Sequence, residues 1–199
     1  MTTPSLTDRG LMPRISWTVT PDPDLVFSEV WNVSGSPEVF ADEAEDWTPI
    51  GHARGVILPG PDPLEADNFH FFEPLDARDA ATYLAADLLL SNLDKITVGG
   101  YPLEGTERFL LLEWLECDKE HRGKAFTAAV MRSLLAAPLD WLVIMLLARG
   151  EHLAKHWERH GFTVISVSHE DDGVPVSLLV ADRYTLEGHP SNLAQDIDA

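Results

Sequence analysis

The sequence predicts an α/β fold in which a mixed β-sheet carries helices on both faces. Strand-like and helix-like patterns alternate between residues 109 and 162, as they do when helices connect strands of one sheet. The run WLVIMLLA (141–148) is apolar throughout, which is typical of a central strand covered on both faces. Two further strand-like runs, 163–168 and 176–181, flank EDDGVP, whose Asp-Gly pair is a hairpin signal.

The beginning of the chain predicts further strands. The runs 15–20 and 25–33 are rich in β-branched and aromatic residues and are separated by Pro-Asp-Pro-Asp, so they form two strands or one interrupted strand. TPIGHARGVILP (48–59) predicts another strand, in which Gly51 and Gly55 mark bends or bulges.

Loops and one helix complete the N-terminal half. Residues 34–46 contain an acidic run and predict a solvated loop. The aromatic segment NFHFFEP (68–74) fits either a short strand or a plug over the core, and as an exposed patch it suits a homodimer interface. Residues 76–90 predict a helix, because Asp76 can cap it and apolar residues follow at helical spacing. A short strand is expected at 96–101.

The central stretch begins with FLLLEWLEC (109–117), an apolar strand interrupted by Glu113. A polar loop then leads into a helix at 124–137, which Pro138 ends. After the apolar run at 141–148, a short helix closes at Gly161-Phe162. We expect one domain at 14–186 with a recognisable core at 109–182, a loose leader at 1–13 and a loose tail at 187–199.

The loop before the second helix is suited to bind an anion. Backbone N–H groups at a helix N-terminus have no intrahelical partner and carry the positive end of the helix dipole. Lys119, Arg122 and Lys124 add cationic side chains, and Gly123 lets the backbone approach a ligand closely. The pattern therefore predicts a phosphate site, although an ordinary surface turn that opens a helix has the same local features.

Charge is distributed unevenly along the chain. The formal net charge is −19, which argues against nucleic acid and anionic membranes as partners. The segment 108–162, however, holds eight basic and seven acidic residues, whereas the remainder holds six basic and twenty-six acidic ones. A nearly neutral segment suits a polyanionic cofactor, and the acidic surround would attract a cationic amine. A solvated acidic surface that only confers solubility is an equally good explanation of most of these acids.

No apolar run is long enough to span a membrane, and the first residues, MTTPSLTDRG, do not have the pattern of a signal peptide. A single cysteine excludes an internal disulfide and a cysteine metal cage. We therefore expect a cytoplasmic protein.

The order strand, RGKA loop, helix, strand, helix and Gly-Phe resembles the GCN5-related N-acetyltransferases, GNAT, whose cosubstrate is acetyl-coenzyme A. Their loop reads Arg/Gln-x-x-Gly-x-Gly/Ala, and Arg122, Ala125 and Thr127 stand at its three key positions. Gly161-Phe162, with an aromatic residue four positions earlier, matches the end of the family's fourth helix. The family usually places its first helices between its first two strands, whereas the clearest early helix here comes just before the central strand.

The resemblance implies two sets of cofactor contacts. Backbone amides of the loop would hold the diphosphate, and the end of the preceding strand would pair with the pantetheine arm. The implied residues are Leu115, Glu116, Cys117, Arg122, Gly123, Lys124, Ala125, Phe126 and Thr127.

Glu113 is the candidate general base. Burial of an unpaired carboxylate is costly, so an acid within an apolar strand is usually paired, half-exposed or functional. In family members that act on polyamines, an acid nine positions before the loop arginine is the base, and Glu113 has this spacing. An ion pair with Arg108 or with a neighbouring strand is the alternative. Glu116 is the weaker candidate, because it faces the other side of the strand.

The sequence does not decide which group acts as the general acid. Trp157 stands where the family often has tyrosine, and its indole is a better packing group than a proton donor. His156, His160, Tyr184 or water could protonate the leaving thiolate. Cys117 is a candidate for an acyl-cysteine relay but is more typical of a small core residue. His152, His156 and His160 recur every four residues, which could bind a metal with an additional carboxylate but is more typical of packing or exposed histidines, so we expect no metal site.

The resemblance implies transfer of an acetyl group from acetyl-CoA to a primary amine, on a small molecule or a protein, by direct attack in a ternary complex. A catalytically inactive module of the same fold that binds CoA or a protein partner is the alternative. A third possibility is an interaction protein that uses only its acidic surface.

Overall fold

The computed structural model describes residues 13–21, 30–41, 46–61, 80–103, 107–122, 124–169 and 173–192. The strands are β1 (Arg14–Pro21), β2 (Trp31–Ala41), β3 (Asp46–Pro49), β4 (Gly51–Pro59), β5 (Thr97–Val98), β6 (Tyr101–Pro102), β7 (Arg108–Cys117), β8 (Val143–Arg149), β9 (Thr163–His169) and β10 (Pro175–Asp182). The helices are α1 (Ala80–Leu90), α2 (Lys124–Ala136), α3 (Glu151–Glu158) and α4 (Arg183–Gly188), with short 3₁₀ turns at Leu93–Lys95 and Lys119–His121.

Eight strands form one mixed sheet in the order β1-β2-β4-β7-β8-β10-β9, with β3 paired to β2 outside this path. The β7–β8 pair is parallel, and the other neighbours are antiparallel. Strands β5 and β6 form a separate two-stranded sheet. The predicted mixed sheet is confirmed, and its parallel pair is formed by the two apolar strands of the central stretch.

Apolar side chains cover the sheet on both faces. Ile144 and Leu146 of β8 pack in a cluster with residues of α2 and α3, whereas Val143 and Met145 pack in a second cluster with residues of α1. Successive side chains of a strand point to opposite faces, so a strand covered on both sides must be apolar throughout. This explains the run at 141–148 and confirms helices on both faces.

The predicted loop at 34–46 is wrong for residues 34–41, which belong to β2. Gly35 pairs with Trp17 of β1 and with Ala53 of β4, and a Cβ at Gly35 would lie 2.6 Å from the Trp17 ring. The indole crosses the sheet over this glycine and its Nε1 donates to Ser133 Oγ of α2 at 2.7 Å. The small residues of this segment therefore make room for an aromatic side chain on the neighbouring strand.

The predicted loose tail from Glu187 is wrong for residues 187–192. Asp182 caps α4 by accepting a hydrogen bond from the Thr185 N–H at 3.0 Å. Beyond this helix, the buried Asn192 side chain donates to the carbonyl of Leu186 at 3.1 Å and to that of His160 at 3.4 Å.

Several predictions lie outside the described residues, namely those for 1–12, for 68–74 and for Asp76. The helix predicted at 76–90 is confirmed over Ala80–Leu90. None of the helices in the described chain combines the length and the apolar composition needed to cross a bilayer.

Candidate active site

A β-bulge in β7 shapes the centre of the molecule. Arg54 of β4 pairs with Trp114 and the next residue, Gly55, pairs with Leu112, so Glu113 is an extra residue on β7. A Cβ at Gly55 would lie 2.5 Å from the carbonyl oxygen of Leu111, so only glycine allows the two strands to approach this closely. A bulge bends its strand and increases its twist. Gly55, which was predicted to mark a bend or bulge in its own strand, lies opposite this bulge, whose extra residue belongs to β7.

The parallel strands β7 and β8 separate just before this bulge. They pair only at Phe109 with Val143, Leu110 with Ile144, and Leu111 with Met145. Both strands are described in full, and beyond Leu111 neither residues 112–117 nor residues 146–149 pair with the other strand. The edge of β7 that faces β8 is therefore not paired by that strand beyond Leu111.

A cleft of about 560 Å³ opens beside the free end of β7, and its volume is within the usual range for small-molecule sites. It is bounded by the end of β7, the first turn of α2 and one side of α3. The lining residues are Trp114, Leu115, Glu116, Cys117, Arg122, Phe126, Thr127, His152, Leu153, His156, Trp157 and Arg159. Two arginines and two histidines face one carboxylate in this set, so the cleft favours an anion within an acidic protein.

Most of the cofactor-binding residues predicted from the sequence meet in this cleft. Those that line it are Leu115, Glu116, Cys117, Arg122, Phe126 and Thr127. Lys124 and Ala125 form the start of α2, whose first N–H groups have no intrahelical partner, and Gly123 lies outside the described residues. Arg122 Nε donates to the carbonyl of Cys117 at 2.9 Å, which ties the loop to the end of β7.

Known family models and curated proteins gave no match to this chain. Solved structures did. Arylalkylamine N-acetyltransferase 2 from Aedes aegypti has 16% identity and a TM-score of 0.45, covering 75% of this chain and 73% of that chain. FeeM, an N-acyl amino acid synthase from uncultured soil microbes, has 12% identity and a TM-score of 0.45, covering 89% and 95%. A mosquito arylalkylamine N-acetyltransferase like 5b has 14% identity and a TM-score of 0.43, covering 85% and 100%.

Each of these solved structures is an N-acyltransferase by name. Because the identities and TM-scores are low, we base the proposal for function on the cleft itself.

Glu113, the candidate base, lies at the bulge and not among the side chains that line the cleft. Its side chain is only 5% exposed, and Arg54 Nε lies 3.1 Å from its Oε2. The ion pair with a neighbouring strand, one of the two alternatives, is therefore present, and Arg108 instead contacts Asp140 at 3.3 Å. The role of Glu113 as a base stays a prediction.

The three side chains considered as general acid lie in different places. His156 lines the cleft, where its Nε2 is 3.0 Å from Thr127 Oγ1. His160 is 2% exposed and its Nδ1 is 3.2 Å from Ser191 Oγ. Tyr184 packs near Gly99. It lies two residues after Asp182, which pairs with Val143 at the start of β8, and this end of β8 is remote from the cleft. Only His156 among these three reaches the cleft.

The sequence did not single out His156, because its spacing with His152 and His160 also fits a row of surface histidines. In the structure Trp157 packs edge-on against Phe162 with ring centroids 5.2 Å apart, as its predicted packing role requires. Among the described residues, no three potential ligands are placed to hold a metal ion.

Cys117 lies at the end of β7 with its side chain largely buried. Burial and, to a smaller extent, the neighbouring Asp118 raise the pKa of the Cys117 thiol to about 11, while Arg122 opposes the shift. A thiol with this pKa is protonated at neutral pH and is a poor nucleophile. The arrangement favours the core role of Cys117 over an acyl-cysteine relay.

Proposed function

We propose that this protein is an N-acyltransferase that transfers an acetyl group from acetyl-CoA to a primary amine by direct attack in a ternary complex. The observation that carries the proposal is the separation of β7 and β8 directly beside the first turn of α2. An unpaired strand edge and a helix N-terminus thus meet in one cleft of about 560 Å³.

Two parts of acetyl-CoA match two parts of the cleft. The diphosphate suits the N–H groups at the start of α2, together with Arg122 and Arg159. The Arg122 guanidinium has five N–H donors, and its Nε is the one that contacts Cys117. The pantetheine arm contains amide groups, which can pair in the manner of an added strand with the backbone of residues 115–117 that β8 leaves unpaired, although the Cys117 carbonyl already accepts from Arg122 Nε.

The reaction requires a deprotonated amine that attacks the thioester carbonyl, after which the carbon–sulfur bond breaks and the thiolate leaves. Glu113 lies at the bulge where the two strands begin to separate, and it would accept the amine proton directly or through water. A backbone N–H near the bulge would polarise the thioester carbonyl.

The acceptor is proposed to approach from the sheet face that carries Trp114. This side chain is exposed, lines the cleft, and donates from Nε1 to Glu116 Oε2 at 3.4 Å. An aromatic face beside a carboxylate suits a cationic amine, because both attract positive charge. The acidic remainder of the chain supports the same preference.

The test is release of the CoA thiol when the protein is mixed with acetyl-CoA and a panel of primary amines, including aromatic amines, polyamines, amino acids and peptide N-termini. We expect release that depends on both substrates and is lost in Arg122→Glu. Binding of CoA without release for any amine would favour the inactive module, for which the replacement of the family's tyrosine by Trp157 is the supporting observation. Absence of CoA binding would contradict both the enzyme and the inactive CoA-binding module. The remaining possibility would then be an interaction protein that uses its acidic surface.

A further inference from the structure

We propose that His156 supplies an additional positive charge to the CoA diphosphate, so that CoA binds more tightly when His156 is protonated. This inference rests on the proposed function, because it assigns a ligand contact within the same cleft. It concerns a residue of α3, whereas the contacts inferred from the sequence lie on β7, the loop and α2.

The position of His156 carries the inference. Its ring lines the cleft, and its Nε2 is 3.0 Å from the hydroxyl of Thr127. Thr127 belongs to the first turn of α2 and is buried, so its hydroxyl is held at the site where the helix presents unpaired N–H groups. The imidazole is therefore one hydrogen bond away from the proposed diphosphate position.

Protonation changes what this pair can donate. When His156 is neutral, the Thr127 hydroxyl can donate to Nε2, and its hydrogen is then used within the pair. When His156 is protonated, Nε2–H donates to Thr127 Oγ1, and the hydroxyl hydrogen becomes available to a phosphate oxygen. A proton on His156 thus adds a positive charge and releases a hydroxyl donor at the same position.

Neighbouring charges decide when the proton is present. The arginines Arg122 and Arg159 of the cleft oppose a further positive charge on His156, and the His160 ring lies with its centroid 5.0 Å away. Glu116 of β7 favours it, while the Cys117 thiol is uncharged at neutral pH. His152 lies one turn earlier on α3 and also lines the cleft. The other charged residues of this helix are Glu151 and Lys155, which form an exposed pair, and Glu158, which is also exposed.

A bound diphosphate adds two negative charges or more beside this group of cations, so binding must favour the protonated form of His156. By linkage, the pKa of His156 is then higher in the complex than in the free protein, and affinity is greatest at low pH and falls as pH rises through the pKa of the complex. Each unit of difference between the two pKa values corresponds to about a tenfold change in Kd.

The experiment measures the Kd of CoA by calorimetry from about pH 5.5 to about pH 8.5, the interval in which histidine titrates. Wild type is compared with His156→Gln, whose amide can still bond to Thr127 but cannot be protonated. The matched control is His169→Gln, an exposed histidine on β9 that does not line the cleft. The phosphate monoester of CoA itself titrates near pH 6, but it does so equally for every variant.

We expect the Kd of wild type and of His169→Gln to rise together with pH, and that of His156→Gln to rise several-fold less. Thr127→Val removes the hydroxyl donor but keeps the charge on His156, so it should flatten the profile in part, and Thr127→Ser should restore it, which keeps the test decisive if His156→Gln fails to fold. Parallel profiles for wild type and His156→Gln would overturn the inference while leaving the proposed function intact. Parallel profiles together with a lower kcat for His156→Gln would instead make His156 the general acid. If wild type binds no CoA at any pH, the proposed function itself is wrong.

Discussion

Leu111 pairs with Met145, and this is the last of the three residue pairs that join β7 to β8. One residue later the pairing of β7 with β4 shifts by the extra residue Glu113. Strand β7 thus stops pairing with its parallel neighbour β8 at the point where it bulges against its antiparallel neighbour β4. Because a bulge bends its strand, we interpret the cleft as a consequence of this one additional residue.

Gly55→Ala should destabilise the protein. The added Cβ would lie 2.5 Å from the Leu111 carbonyl oxygen, a backbone atom that cannot move without disturbing the sheet. We expect a loss of about 1–3 kcal/mol in the free energy of unfolding, as for other overpacked sites. The control is Gly188→Ala, where a Cβ meets no atom within 4 Å, and denaturant unfolding compares the two. Equal stability of both variants would show that β4 and β7 are not this close.

Glu113→Gln should lower the turnover rate without weakening the binding of CoA. The amide cannot accept the amine proton, and general-base catalysis typically contributes about 10²–10⁴-fold to the rate. We expect kcat to fall by at least about 10²-fold with little change in the Kd of CoA. Because Arg54 remains about half exposed, water can solvate it when its ionic partner is lost.

The control for this variant is Glu120→Gln, an exposed acid on the 3₁₀ turn at Lys119–His121. Unimpaired turnover in Glu113→Gln would assign the Arg54–Glu113 ion pair a structural role only.

The thiol of Cys117 should react slowly while the protein is folded. With a pKa of about 11, the thiolate is scarce at neutral pH, so alkylation by iodoacetamide should accelerate as pH rises toward that value and should be fast after denaturation. The same shift predicts that stability declines above about pH 9, because the folded state holds this proton more tightly than the unfolded state. This alkaline loss should be smaller in Cys117→Ala.

Cys117→Ala should also retain turnover, because direct attack needs no acyl-cysteine. Trapping of an acetylated Cys117 during turnover, or loss of activity in Cys117→Ala with the fold intact, would contradict direct transfer.

The parts of the fold that were predictable have strong local signals. The apolar run at 141–148 predicted a strand covered on both faces, which the structure places at Val143–Arg149, and the polar loop before Lys124 opens a helix as expected. The strand at 34–41 was missed, because its small polar residues are typical of loops and the reason for Gly35 is the indole of Trp17 on another strand. Contacts of this kind between distant segments leave no local pattern.

The site also contains parts with local sequence signals and parts that depend on contacts between distant segments. The residues of β7, the loop and α2 are close in sequence, so their meeting could be predicted from order and spacing. Arg54 lies fifty-nine positions from Glu113, and Thr127 lies twenty-nine positions from His156. Neither partner could be chosen from the sequence, because each depends on how strands or helices lie side by side.

The most direct test of the central claim is a thermal-shift titration of wild type with CoA, in parallel with Arg122→Glu and with Arg132→Glu. The last variant makes the same charge change on the body of α2, away from the cleft lining. A ligand that binds only the folded state stabilises it by about 2.7 kcal/mol at a concentration of ~100 Kd. We predict that CoA raises the melting temperature of wild type and Arg132→Glu but not that of Arg122→Glu. An equal rise in all three proteins, or none in wild type, would contradict diphosphate binding at the start of α2.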